Sequence, residues 1–373
     1  FLIVNCNQTE SSAHPDSFIK SAGEMDSFKY KQQAYRIDTL FTKLYAADAF
    51  NGNVLIAKGN DIIYQKSFGY AIKEKNIKLT DTSLFQLASV SKVITGIAVL
   101  TLYEKGKLRL DAKVVDILPG FPYTDITVQQ LLSHRSGLPN YIYFCNAFLK
   151  EKTEFLSDKE LLDIMIENRP KAYLKPGTRF NYCNTNFALL AMIIEKVSGK
   201  TYSDYLKDEV FTPLGMNHSY TYKTVDFNGV NFTHGYTMKY QEVAKDPYDG
   251  VLGDKGIYTT TYDLFLLSNA LYQNKILSKA TQDLAYAPYS PERKLGNYGL
   301  GWRMKDMSTN NKEVFHNGWW HGYRTSFHRR LNDSLTIIVL SNRLNRSVYS
   351  TWRIYGAIDG PTAAGLKPES EEE

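Results

Sequence analysis

Ser89-Val-Ser-Lys-Val-Ile-Thr-Gly-Ile-Ala-Val-Leu-Thr-Leu-Tyr-Glu-Lys-Gly106 decides how the rest of the chain is read. Val93, Ile94, Ile97, Ala98, Leu100 and Leu102 go most of the way round a helical wheel, which marks a buried helix rather than a surface one. Gly106 supplies a stop, so the spacing predicts a helix over 90–105. Ser89 stands at the N-terminus, where backbone N–H groups point outward and the macrodipole favours negative charge. Lys92 lies three residues on, on the same face as the Ser89 hydroxyl. A desolvated lysine beside a hydroxyl can serve as its base, so the two form a candidate nucleophile and proton carrier. Alone the pattern is weak. Ser-x-x-Lys is expected about once in a chain of this length, and Ser17-Phe-Ile-Lys20 repeats it in a polar stretch.

Working outward, helical periodicity covers 30–49, and two β-rich runs over 53–57 and 61–70 meet at the hairpin signature Lys58-Gly-Asn60. From 111 to 250, helical segments at 128–132, 158–167 and 186–197 alternate with loops such as Leu118-Pro-Gly-Phe-Pro122 and Lys175-Pro-Gly177. Strand patterns return at Phe315, 325–330 and 335–340, with an Asn332-Asp333 turn between the last two, and a helix follows over 348–358. The expected fold is α/β of the α+β kind: an antiparallel sheet built from both chain ends, flanked by helices, with an inserted, mainly helical domain. The division is a signal remnant and flexible tether at 1–28, a sheet domain from 29–110 and 251–358, the insertion at 111–250, and an acidic tail at 359–373. A cleft between two such lobes is the favoured place for a site.

Of the 373 residues, 43% are hydrophobic and 22% charged, an ordinary globular balance. The net charge of +5 is scattered, without the Lys/Arg run of a nucleic-acid arm, so nucleic acid is excluded as a partner. Tyr and Phe are plentiful, at 27 and 19, and suit an aromatic core. The longest apolar stretches, 94–100 and 187–194, are too short to span a bilayer. Phe1-Leu-Ile-Val-Asn-Cys6 reads as the end of an apolar signal segment running into a cysteine, followed by a polar tether. It resembles a bacterial lipoprotein start with Cys6 lipidated, and the expectation is an exported, periplasmic or membrane-anchored protein. Cys6, Cys145 and Cys183 have no metal-ligand spacing, although Cys145 and Cys183 are able to pair.

Three further motifs carry or frame chemistry. In Tyr182-Cys-Asn184, a phenol near an ammonium ionises more readily and can act as general base and acid, while the Asn184 amide can orient Lys92 and a substrate carbonyl. Tyr272-Gln-Asn274 shows that this motif also arises by chance. His316-Asn317-Gly318 falls on an expected strand, where Gly318 permits close approach of substrate. The backbone N–H just past Gly318, with that of Ser89, would make a two-donor oxyanion hole. Leu131-Leu-Ser-His-Arg-Ser-Gly-Leu-Pro139 has no evident chemistry and is expected to shape a loop beneath the cleft.

In this order, with Pro176-Gly-x-x-Phe-x-Tyr-x-Asn184 completing the second motif, the series resembles the serine β-lactamase and penicillin-binding-protein superfamily. The likeness is to its class C β-lactamase-like branch, with its D,D-peptidases, D-aminopeptidases and carboxylesterases, and it runs from about 53 to 340. Thr212-Pro-Leu-Gly-Met216, Gly256-Ile-Tyr-Thr-Thr260 and Tyr298-Gly-Leu-Gly-Trp302 agree with it. The resemblance implies a serine acyl hydrolase in which Ser89 forms an acyl-enzyme and Lys92 and Tyr182 share the proton work. It further implies that Asn184, His316, Asn317 and Gly318 line the site, that Ser89 and Trp319 supply the oxyanion N–H groups, and that no cofactor or metal is needed. The implied substrate is a small ester, a β-lactam or a D-amino-acid peptide. His316 departs from the lysine usual in dedicated β-lactamases, which lowers the expectation of β-lactam hydrolysis and leaves Arg324 as a candidate cation. A slowly acylating sensor and a silent membrane-tethered scaffold stay open as alternatives.

Overall fold

A computed structural model describes residues 28–148, 155–293, 296–305 and 312–360. Cys6, nearly all of the expected tether and the acidic tail lie outside them. Seven strands form the main sheet: β1 (Gly52–Lys58), β2 (Asp61–Phe68), β3 (Asn297–Tyr298), β4 (Arg303–Lys305), β5 (Glu313–Trp320), β6 (Tyr323–Arg330) and β7 (Leu335–Ser341). Their order is β2-β1-β7-β6-β5-β4-β3, with every neighbouring pair antiparallel. The first and last parts of the chain therefore meet at the β1–β7 seam, where Gly52 pairs with Ser341 and Lys58 with Leu335.

Both faces of this sheet are covered, which explains why β7 is buried at every residue and carries the β-branched run Thr336-Ile-Ile-Val339. Val54, Ile56, Ile337 and Val339 point to one side. There they pack on Ile37 and Phe41 of α1 (Phe28–Ala46) and on Ile354 of the C-terminal helix (Thr351–Asp359). The alternate residues Leu55, Ala57, Ile338 and Leu340 face the larger core around α2 (Ser91–Glu104). This core continues into α3 (Asn184–Ser198), whose residues Phe187–Ile194 are all buried. Among the described residues no helix is long and apolar enough to cross a membrane.

Local chemistry sets the ends. Gly59 turns the β1–β2 hairpin at φ +55°. After α2, Gly106 at φ +67° donates to the Tyr103 carbonyl and Lys107 to that of Leu102, the paired bonds of a Schellman stop. Capping boxes at Thr127 and Ser157 start the helices Val128–Leu132 and Asp158–Asn168. Two helices start later than their periodicity suggests. Residues 88–90 form a tight turn ahead of α2, because Leu87 N–H is bonded to Ile257 O and its carbonyl to Thr325. Likewise Arg346–Tyr349 is a 3₁₀ turn, with Ser347 held to the Ala49 carbonyl.

A smaller sheet positions the site. Ile257–Thr259 lies between Phe85–Gln86 and Tyr220–Thr221, so the segment 249–256 before it passes directly behind the start of α2. Asp158 secures that segment by accepting from Leu252 N–H at 2.9 Å. Burial pushes the Asp158 carboxyl up to about 7, with the Leu252 N–H and Lys223 opposing. A carboxyl raised in the folded state binds its proton there more tightly than in the unfolded chain, so stability declines as pH rises from about 4 to 7. Asp158→Asn is expected to match wild type in Tm near pH 4 and to exceed it by a few degrees at pH 8. A difference independent of pH in thermal melts would refute this account.

Candidate active site

Ser89 sits on the turn Ala88–Val90, half-buried, immediately ahead of α2. The turn is held in an uncommon backbone state: Ala88 has φ +49°, a left-handed conformation that a residue with a Cβ adopts at a cost of about 1–2 kcal/mol. Lys92, the second residue of α2, is fully buried, and its Nζ lies 3.0 Å from Ser89 Oγ and 2.8 Å from the Asp254 carbonyl oxygen. The Tyr182 hydroxyl donates to the same Ser89 Oγ at 2.9 Å. Lys92 Nζ also stands 5.1 Å from the Tyr182 ring centroid. A hydroxyl, a lysine nitrogen and a phenol therefore converge from two segments far apart in sequence.

Tyr182 is seated by a platform that sequence reading left without chemistry. The segment 131–139 runs under 174–183, bonded through Asn181 N–H to His134 O and Gly177 N–H to Arg135 O. The His134 ring packs 4.3 Å from that of Tyr182. His134 Nδ1 accepts from Cys183 N–H and faces Asn186 Nδ2, each at 3.1 Å, which assigns the ring proton to Nε2. Burial, with repulsion from Lys92, His316 and Arg303, holds His134 well below the usual histidine range, so it is neutral. Asn186, fully buried and bonded to Ser136 at 2.5 Å, completes the platform. Asn184 opens α3 two residues past Tyr182 and is half-buried. Cys145 and Cys183 are free, and burial pushes the Cys183 thiol up to about 11.

On the opposite wall, β5 passes tightly against the Ser89 turn. A Cβ on Gly318 would sit 2.3 Å from Leu87 O and 3.1 Å from Ala88 Cβ, so the approach of the two backbones requires glycine. This brings the main chain at Gly318–Trp319 beside Ser89, while the Trp319 side chain is exposed. His316 is fully buried: its Nδ1 donates to the Asn317 carbonyl at 2.7 Å and its Nε2 faces the Tyr298 hydroxyl at 3.0 Å. Burial, then Arg303 and Lys92, hold His316 neutral.

Two expected residues lie elsewhere. The Asn317 side chain accepts from Ser326 at 2.9 Å and lies 3.3 Å from His328 Nε2, on the sheet face away from His316. Arg324 pairs in register with Trp319, also on that far face, with its guanidinium 5.3 Å from the Tyr349 ring. Strict alternation along a strand explains both, since each is an odd number of residues from a cleft-facing position. Among the described residues, Arg303 of β4 instead places a cation beside the site, 5.3 Å from the Tyr182 ring. Its place was hidden because β4 is three residues long and shows no pattern of its own. Away from Ser89, Glu74, His234 and Glu242 bring ligand atoms within 4.8 Å of one another, but His234 already contacts Glu242 at 3.0 Å as an ion-pair geometry.

Comparison with known proteins gives one consistent result. The family model described as Beta-lactamase matches residues 37–357. Penicillin-binding protein 4* of Bacillus subtilis is 35% identical over 338 residues, covering 84% of this chain and 72% of the relative. A putative penicillin-binding protein of the same bacterium, PbpX, is 30% identical over 71% of this chain, which spans 65% of that relative's length. Among solved structures, the octameric penicillin-binding protein homologue from Pyrococcus abyssi superposes with a TM-score of 0.75 at 27% identity, covering 86% of this chain and 76% of its own.

The close passage at Gly318 is open to test. Gly318→Ala is expected to lower Tm by several degrees and to slow p-nitrophenyl ester hydrolysis at least ~10-fold, because β5 must withdraw from the Ser89 turn. Wild-type rates in a variant of wild-type Tm would show that the contact is not required.

Proposed function

Because the chain belongs to the Beta-lactamase family, we propose that it is a serine acyl hydrolase working through an acyl-enzyme on Ser89. The observation that carries this reading is the placement of Ser89 Oγ within 3.0 Å of Lys92 Nζ and 2.9 Å of the Tyr182 hydroxyl. Ser89 Oγ adds to the substrate carbonyl carbon while its proton passes to the Lys92–Tyr182 pair, in the form in which one member, as amine or phenolate, has a free lone pair. The backbone N–H groups of Ser89 and Trp319 stabilise the oxyanion. Collapse breaks the bond to the leaving alcohol or amine, which takes the proton from the pair. Water then attacks the Ser89 ester, gives a proton to the pair, and releases the acid as the Ser89 hydroxyl reforms.

For the acyl donor, we propose a peptide or amide that ends in a carboxylate next to a D-centre, in preference to a simple ester. His316 is neutral and offers no charge, whereas the Arg303 guanidinium stands on the Tyr182 side of the site, where an anionic group of the substrate could be met. Penicillins carry such a carboxylate, and the names of the relatives support binding of that class. Slow turnover of the penicilloyl-enzyme is the second reading, favoured by the neutral His316.

Intact-mass spectrometry after exposure to a fluorophosphonate, a penicillin and a p-nitrophenyl ester tests the proposal. A single fluorophosphonate adduct with ester turnover is expected, both lost in Ser89→Ala, and slowed by at least ~100-fold in Lys92→Ala and Tyr182→Phe. No adduct on folded protein would favour a silent scaffold. Arg303→Gln is expected to slow penicillin acylation ~10-fold while leaving p-nitrophenyl acetate within about twofold; equal effects on both would remove the carboxylate from the proposal.

A further inference from the structure

Behind Lys92 lies a second buried cation that the reaction as described does not use. Lys255 is 3% exposed, between Asp254 and Gly256 at the end of the segment 249–256. Its Nζ donates to the Tyr141 hydroxyl, lies 3.4 Å from Asp254 Oδ2, and stands 4.8 Å from the Trp320 ring and 4.9 Å from that of Tyr141. Tyr141 is fully buried and donates in turn to Asp254 Oδ2 at 3.1 Å. Trp320, at the end of β5, donates through Nε1 to buried Asp249 Oδ1 at 2.6 Å. Burying an ammonium is costly unless charges and hydrogen bonds surround it, and two carboxylates of the same segment do so here.

The cluster touches both walls of the site. The Asp254 carbonyl oxygen is the second partner of Lys92 Nζ, at 2.8 Å. The next carbonyl upstream, Gly253 O, accepts from Thr95 of α2 at 2.6 Å. On the other side Trp320 belongs to β5, one residue past Trp319 and two past Gly318. Lys255 therefore ties the support of the general base to the strand of the oxyanion hole through one ammonium group.

We infer that Lys255 is a positioning residue for acyl transfer, fixing the Asp254 carbonyl that aims Lys92 at Ser89 and bracing Trp320 at the end of β5. This rests on the reading of Ser89 as the nucleophile. Lys255 touches neither substrate nor Ser89; removal of its charge moves Lys92 without removing any reacting group.

Lys255→Met alone would leave Asp254 buried without its cation, so the decisive variant is Asp254→Asn/Lys255→Met, which leaves the net charge of the cluster unchanged and the Asp254 main chain in place. Expected are a Tm within about 3 °C of wild type, kcat for p-nitrophenyl acetate lowered ~30-fold, and KM within about twofold. Tyr141→Phe, which removes only the hydroxyl between Lys255 and Asp254, is expected to lower kcat ~5-fold with KM unchanged, and it tests the same link should the double variant fail to fold. Wild-type kcat in either folded variant overturns the inference and leaves Lys255 as a counter-ion of Asp254. A crystal structure of the double variant decides the point without catalysis: Lys92 Nζ is expected beyond 3.5 Å from Ser89 Oγ, and an unchanged 3.0 Å contact overturns the inference even if the wild type forms no adduct and the hydrolase reading itself fails.

Discussion

The structure is organised around one buried lysine. Lys92 is fully excluded from solvent on a helix that is apolar nearly all round, an environment hostile to charge. Its Nζ keeps two oxygen contacts, Ser89 Oγ on one side and the Asp254 carbonyl on the other. Much of the fold serves to bring these oxygens to the same point. The small sheet ties Ile257–Thr259 to Phe85–Gln86, so the segment bearing Asp254 and the turn bearing Ser89 are fixed to one another by main-chain bonds ahead of Ser89 and, beyond Lys92, by the Thr95 hydroxyl on the Gly253 carbonyl.

Around this centre the ionisable groups fall into two sets with different tasks. His134 and His316, both buried near Lys92 and Arg303, are kept neutral by desolvation and by repulsion from those cations. They act as packing surfaces and neutral hydrogen-bonding groups, one under Tyr182 and the other against Tyr298. Lys255, Asp254 and Asp249 keep opposite charges close together, which allows a polar segment to be buried behind Ser89. The burial that lowers Lys255 is opposed by those two carboxylates, whereas Lys92 adds to it.

The β5 wall is a steric matter. Gly318 and Thr325 pair across β5 and β6, and the Thr325 hydroxyl is bonded to Leu87 O at 2.6 Å. Only the missing side chain at 318 leaves room for that carbonyl and for Ala88. The left-handed Ala88 turn is thus held by the strand in front of it as well as by α2 behind it, and such over-determination is how a strained turn persists.

Much of this was legible in the chain. The all-round apolar helix after Ser89, the Gly59 hairpin, the capping signals and the β-branched run of β7 are local patterns, and local sterics and burial fix what they become. Ser89, Lys92 and Tyr182, which the structure brings into contact, and His316 stood out in the sequence because their residue types and order carry a chemical signature. Alternation along β5 placed the Asn317 side chain and Arg324 on the far face, although adjacency in sequence had suggested the cleft. Arg303, Asn186, Asp254 and Lys255 gave no signal, since each meets the site through partners at least 52 residues away, brought together when the two ends of the chain close the sheet at β1 and β7. The sequence by itself determined which elements form and which groups can react. Which oxygens surround the buried lysine, which cation faces the site and which side chains turn away were decided by tertiary structure, because those depend on distances between segments that no single stretch of chain encodes.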